Sequence, residues 1–187
     1  MFFGKKRSMV LTALLLIMIV FLSGCKVTPE STVNGFFKAW KRLDFQKASK
    51  YVNGDEMEPV AKEDRDIYKA LYSNLEYQID EVNAEKDEAI VKVSLENIDI
   101  LAISGEIFGE LLGLSISQAF SGAELEEGYL DKLIIERLTA KDVPRKTTTV
   151  YLKLLRSKDG WLIEPDYEFA KVLVGDLAVI AEIIDAF

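Results

Sequence analysis

Three kinds of apolar pattern alternate along this chain, and each predicts a different element. The first is a continuous block, Met9–Leu22, 14 residues with Thr12 as the only polar member. The second has helical spacing. Val33, Phe36, Phe37, Trp40 and Leu43 share one helix face. Thr28 is a suitable N-cap for that helix and Pro29 a suitable first helical residue. Leu43-Asp44-Phe45 breaks the pattern, and Asp44 is placed to cap a short second helix through Phe45, Ala48, Tyr51 and Val52, ended by Asn53-Gly54. A third helix is predicted over about 60–75, with Val60, Ile67, Leu71 and Leu75 in register.

The third pattern has a period of two. Leu75, Tyr77 and Ile79 alternate with Glu76, Gln78 and Asp80. After the polar turn Glu85–Glu88, Val91, Val93 and Leu95 alternate, and Ile98 and Ile100 follow on the other parity. These segments predict an antiparallel hairpin with a bulge near Asn97. Residues 101–140 return to helical character. A strand over 145–157 has Val150, Leu152 and Leu154 in phase, and Ser157-Lys158-Asp159-Gly160 is a turn signal. Trp161–Glu164 is a short strand stopped by Pro165, and Phe169–Phe187 is an apolar terminal helix. At 187 residues the chain fits one domain. Helices followed by hairpins predict an α+β domain with helices on one face of an antiparallel sheet.

The opening block is too short to span a bilayer, which takes about 20 residues. Lys5, Lys6 and Arg7 precede it, and Leu22-Ser23-Gly24-Cys25 follows, holding the only cysteine. A basic start, an apolar core and small residues before a cut describe a secretory signal. The tetrad resembles the lipobox of bacterial lipoproteins. That resemblance implies that Cys25 is acylated by a diacylglyceryl transferase. Lipoprotein signal peptidase would recognise Leu22, Ser23 and Gly24 and cut before Cys25. The expected layout is a signal peptide over 1–24, a lipidated N-terminus and short tether over 25–28, and one domain over 29–187. Two acyl chains give stable anchoring where one gives only reversible binding. The expected place is therefore the extracytoplasmic face of a bacterial membrane, with membrane lipid as the first partner and an envelope protein as a candidate second.

The mature chain also resembles NTF2-like (cystatin-like) lipoproteins of Gram-positive bacteria, in which a helical start packs into a curved sheet. The likeness is carried by Thr28-Pro29-Glu30 through Trp40, by Leu43–Ala48, and by Asp159-Gly160-Trp161-Leu162-Ile163. The helical insertion at about 101–140 departs from a minimal domain of that kind. The resemblance implies a pocket between helices and sheet. Trp40, Tyr68, Tyr72, Tyr77 and Tyr151 are candidate pocket walls, with core aromatics as the plainer reading.

Charge and residue types narrow the chemistry. The net charge is −8, and loss of Lys5, Lys6 and Arg7 with the signal takes it to −11. This argues against nucleic acid as a partner. Residues 26–52 run the other way, at +4, which predicts a basic face turned toward anionic headgroups. Histidine is absent, which removes the commonest general base and metal ligand. Asp55, Glu56 and Glu58, and Glu124, Glu126 and Glu127, lack the spacing of a calcium loop and read as solvated surface. No catalytic residue, metal or cofactor is expected. Gly105, Gly109 and Gly113 are spaced to line one flank of a helix, which reads either as membrane contact or a dimer seam or, as favoured, as an insertion helix packed closely on the sheet or the terminal helix, because Glu106 and Glu110 are expected to interrupt any membrane face. Three functions follow. The favoured one is a non-catalytic lipoprotein binding a small apolar ligand or an envelope partner. The second is an isomerase- or dehydratase-type enzyme with an Asp/Tyr pocket. The third is a purely structural envelope protein.

Overall fold

The computed structural model describes residues 27–62, 64–121 and 128–166, together with 169, 170 and 173. The signal segment, Cys25, the Glu124–Glu127 cluster and most of the expected terminal helix lie outside the described residues.

Helix α1 spans Pro29–Trp40. Its start is a capping box: Thr28 Oγ1 accepts from the Ser31 N–H at 3.1 Å, and Ser31 Oγ accepts from the Thr28 N–H at 2.8 Å. Val33, Phe36, Phe37 and Trp40 are buried along one face, as their spacing requires. At Gly35 a side chain would run into the Tyr51 ring, 2.4 Å from the position a Cβ would take, so glycine admits this close approach. Leu43 adopts a positive φ of 57° and turns the chain out of α1. Asp44 then caps α2, Phe45–Ser49, accepting from the Lys47 N–H at 3.1 Å. This helix stops short of its expected end because Val52 forms a parallel bridge to Ile163. Helix α3, Arg65–Tyr72, is also shorter than 60–75. Asp55, Glu56, Glu58, Pro59 and Ala61 are exposed and only Met57 and Val60 pack against the core, so the segment before Asp64 buries too little apolar surface to stabilise a helix.

Strands β1 (Glu76–Ala84), β2 (Glu88–Ile98), β3 (Arg145–Arg156) and β4 (Trp161–Glu164) form one antiparallel sheet in the order β1-β2-β3-β4. The bulge lies in β1, between Ile79 and Glu81, and not near Asn97. The β2–β3 register runs unbroken from Glu88–Leu155 to Ile98–Arg145. The parity change at Ile98 marks the strand's end, where Asp99 N–H donates to Pro144 O at 2.8 Å and the chain turns into a helix.

Between β2 and β3 lie α4 (Ile100–Ser121) and α5 (Tyr129–Thr139). Ile103, Ile107 and Leu111 of α4 are buried, and Glu110 reaches α5, where Arg137 donates to it at 2.5 Å and Tyr129 at 3.1 Å. The glycines differ from expectation. Among the described residues nothing lies within 4 Å of a Cβ built at Gly105, Gly109 or Gly113. They face open space because α4 turns its isoleucine face to the core. Glu110 sits on the packed side and does not interrupt the outer face, whereas Glu106 is exposed and borders it, about 20° beyond Gly113.

One core links these layers. Phe36, Phe37 and Trp40 of α1 meet Val91, Val93 and Leu95 of β2, Leu152 and Leu154 of β3, and Trp161 and Ile163 of β4 within a single buried cluster. Thr32, fully buried, donates its hydroxyl to Trp161 O at 3.2 Å and ties α1 to β4. Every core residue among those described lies between Val33 and Leu173.

Candidate functional site

A cavity of about 430 Å³ opens where α1, α2, α3 and the chain after β4 converge. Its lining is Trp40, Phe45, Val52, Met57, Tyr68, Pro165, Phe169, Ala170 and Leu173. This volume falls within the roughly 300–1,000 Å³ typical of small-molecule sites. Each wall has a local cause. Trp40 closes the buried face of α1, and Phe45 opens α2 directly behind the Asp44 cap. Their rings lie 4.6 Å apart by centroid, tilted by 36°. Val52 is fixed by its bridge to Ile163, reinforced by Asn53 N–H donating to Ile163 O at 2.7 Å and Ile163 N–H donating to Tyr51 O at 2.8 Å. Pro165 ends β4 and turns the chain toward Phe169, whose N–H donates to Asp166 Oδ1 at 2.7 Å. Tyr72 donates its hydroxyl to Leu173 O, which holds the far wall to α3.

Three of the five candidate wall aromatics stand elsewhere. Trp40 and Tyr68 line the cavity. Tyr72 stands behind it, edge-on to Trp40 at 5.5 Å. Tyr77 lies farther along α1, stacked on Phe37 at 4.7 Å, and donates to Asn34 Oδ1 at 3.0 Å. Burial pushes its hydroxyl above the usual tyrosine range. Tyr151 is on the outer face of the sheet and 61% exposed, because odd positions of β3 point away from the core that Val150, Leu152 and Leu154 enter. Sequence reasoning missed Phe45, Val52, Met57, Pro165, Phe169, Ala170 and Leu173. Met57 carried a signal, as an apolar side chain set among Asp55, Glu56 and Glu58.

The chemistry of the lining is narrow. None of its nine described lining residues carries a charge, and among them Trp40 and Tyr68 supply the only side-chain nitrogen and hydroxyl. A second depression of about 250 Å³, lined by Glu76, Tyr77, Gln78, Ser94, Glu96 and Thr147, is polar. There Glu96 is engaged by Arg145 at 2.6 Å. Among the described residues no cluster of three or more His, Cys, Asp or Glu is grouped as a metal site would require.

The architecture is thus a mixed α+β domain, helices on an open four-stranded antiparallel sheet, consistent with the NTF2-like fold. No protein-family model matches the chain, and no curated protein matches it in sequence. Solved structures do resemble it. One is described as a calcium/calmodulin-dependent protein kinase type II association domain from Thiobacillus denitrificans, with 12% identity, TM-score 0.38, and coverage of 75% of this chain and 97% of that one. Another is described as a lipoprotein, YcdA, from Bacillus subtilis, with 22% identity and TM-score 0.45. It matches over 79% of this chain and 47% of its own, so this chain spans less than half its length. A third is AclR from Streptomyces galilaeus, described as a hydroxylase, with 13% identity, TM-score 0.36, and coverage of 79% and 84%. At these values the functional reading rests on the chain's own residues.

Proposed function

We propose that the protein is a lipid-anchored lipoprotein of a bacterial envelope, held by acylated Cys25, whose domain binds a small apolar molecule without transforming it. The cavity beneath Trp40, uncharged among its described lining residues, carries this reading. A site of this size with aromatic and aliphatic walls recognises ligands by burial of apolar surface, worth about 25 cal/mol per Å². The Asp/Tyr alternative needs a carboxylate within hydrogen-bond reach of the reacting group, and the nine described lining residues include Tyr68 but neither Asp nor Glu. That composition favours binding over isomerase or dehydratase chemistry. Support for the anchor comes from the sequence Leu22-Ser23-Gly24-Cys25 behind its basic and apolar segments.

The chain Lys26–Phe187 retains every described core residue and allows a test in solution. Nile red fluorescence should rise saturably with it, and Met57→Trp, which puts bulk into the cavity from a loop, should abolish the rise while the Tm stays within a few degrees. Equal binding by the variant would place the dye elsewhere and refute the reading. The anchor is tested apart from this: radiolabelled palmitate should enter the full chain in cells and be lost in Cys25→Ala.

A further inference from the structure

Helix α4 presents an apolar face that the domain itself leaves open. Leu101, Leu112, Ile116 and Phe120 are 60%, 49%, 54% and 90% exposed. At 100° per residue they fall with Gly105, Gly109, Gly113 and Ala119 into one sector of about 120°, which contains no charged residue. The helix is long and apolar enough to cross a membrane by length and composition, yet Ile103, Ile107 and Leu111 are buried and Glu110 is bound to Arg137. Spanning would strip those contacts, so only the outer face is available to an apolar phase.

We propose that this face lies in the bilayer interface, parallel to the membrane plane, with lipid acyl chains as its occupant. The choice of lipid rests on the anchored-lipoprotein reading and on two observations. The first is reach: Val27, the first described residue, is two residues from Cys25, and such a tether spans at most roughly 7 Å. The domain is therefore held against the bilayer. The second is area. A 22-residue helix is about 33 Å long and about 10 Å wide, so two copies pairing through this face would bury about 700 Å². Stable complexes bury about 1,200–2,000 Å², and copies at −11 each repel. A bilayer needs no minimum patch, because the anchor already holds the protein there. An interfacial helix lies with its apolar side about 5–10 Å deep in the headgroup–acyl boundary, which fits a face without charge.

Non-acylated Lys26–Phe187 should float with phosphatidylcholine vesicles, and the bound fraction should hold at high salt. Leu112→Lys and Ile116→Lys should each weaken partitioning about tenfold, whereas Ile90→Lys on the outer sheet face, where Ile90 is 40% exposed, should not. Absence of flotation, flotation unchanged by both α4 variants, or flotation lost at high salt would overturn the proposal. Leu112→Ser, which leaves no apolar side chain there and adds no charge, should weaken flotation in the same direction. If a concentration-dependent dimer that Leu112→Lys dissolves appears instead of flotation, the occupant is a second copy and the proposal is wrong. Failure of palmitate labelling at Cys25 with flotation intact would remove the anchor reading and leave the face.

Discussion

Gly160 offers a sharp test of how the anchored end meets the sheet. It sits in the β3–β4 turn with φ of 146°, where Ser157 N–H donates to its carbonyl at 2.7 Å. Only glycine adopts this region readily, and a substituted residue held there costs about 1–3 kcal/mol. A Cβ at Gly160 would also lie 2.9 Å from both Val27 Cβ and Cγ1. Val27 is 44% exposed and close to the chain's tether, so it can move aside at little cost. Backbone strain therefore dominates, and Gly160→Ala should destabilise the domain by about 2 kcal/mol. For a domain of this size that is a Tm lower by about 4–8 °C in calorimetry. A cycle with Val27→Ala separates the two terms: the coupling between the sites should stay below about 0.5 kcal/mol. If Gly160→Ala were as stable as the parent, the turn would not have this conformation. A coupling near the full effect would mean that contact with Val27, and not backbone strain, makes glycine necessary.

The remaining expectations are smaller. Thr28→Ala removes one half of the capping box and should cost about 1 kcal/mol in urea denaturation, with the m-value unchanged. Hydrogen bonding from Arg137 holds the Glu110 carboxyl below its ordinary value of 4.5. Unfolded chains thus take up that proton more readily, so the α4–α5 link is complete above about pH 4.5 and is lost as pH falls through the lowered value. The Tm gap between the parent and Glu110→Gln should accordingly be open at pH 7 and close toward pH 3. Phe36→Ala, fully buried against Phe37, Trp40 and Phe169, should cost about 3–5 kcal/mol.

Much of the scaffold was legible because its signals are local. The Thr28–Pro29 start, the Asp44 cap and the alternation through Val91, Val93 and Leu95 each rest on neighbours within a few residues, and the structure places them accordingly. Errors arose where a distant contact decided the outcome. Helix α2 ends early because Val52 bridges to a strand more than a hundred residues away. A change of parity at Ile98 looked like a bulge and is a strand end, while the true bulge at Ile79/Glu81 shows in the sequence only as the shift from Tyr77 and Ile79 to Val82 and Ala84. The cavity shows the same limit. Its walls come from positions 40 to 173, so no window of sequence contains it. Tyr151 has the residue type of a pocket wall but occupies the outward parity of β3. The glycine stripe was visible at once. Which side of α4 would be buried depended on Ile103, Ile107 and Leu111, whose burial requires knowing where α5 lies.

The account turns most on whether the cavity takes up an apolar molecule. Naphthalene added to ¹⁵N-labelled Lys26–Phe187 should move the amide resonances of Phe45, Val52, Met57 and Phe169, saturate at one equivalent, and leave Thr147 and Tyr151 on the outer sheet face unmoved. Shifts scattered over the surface, or none around Trp40 and Phe45, would contradict it.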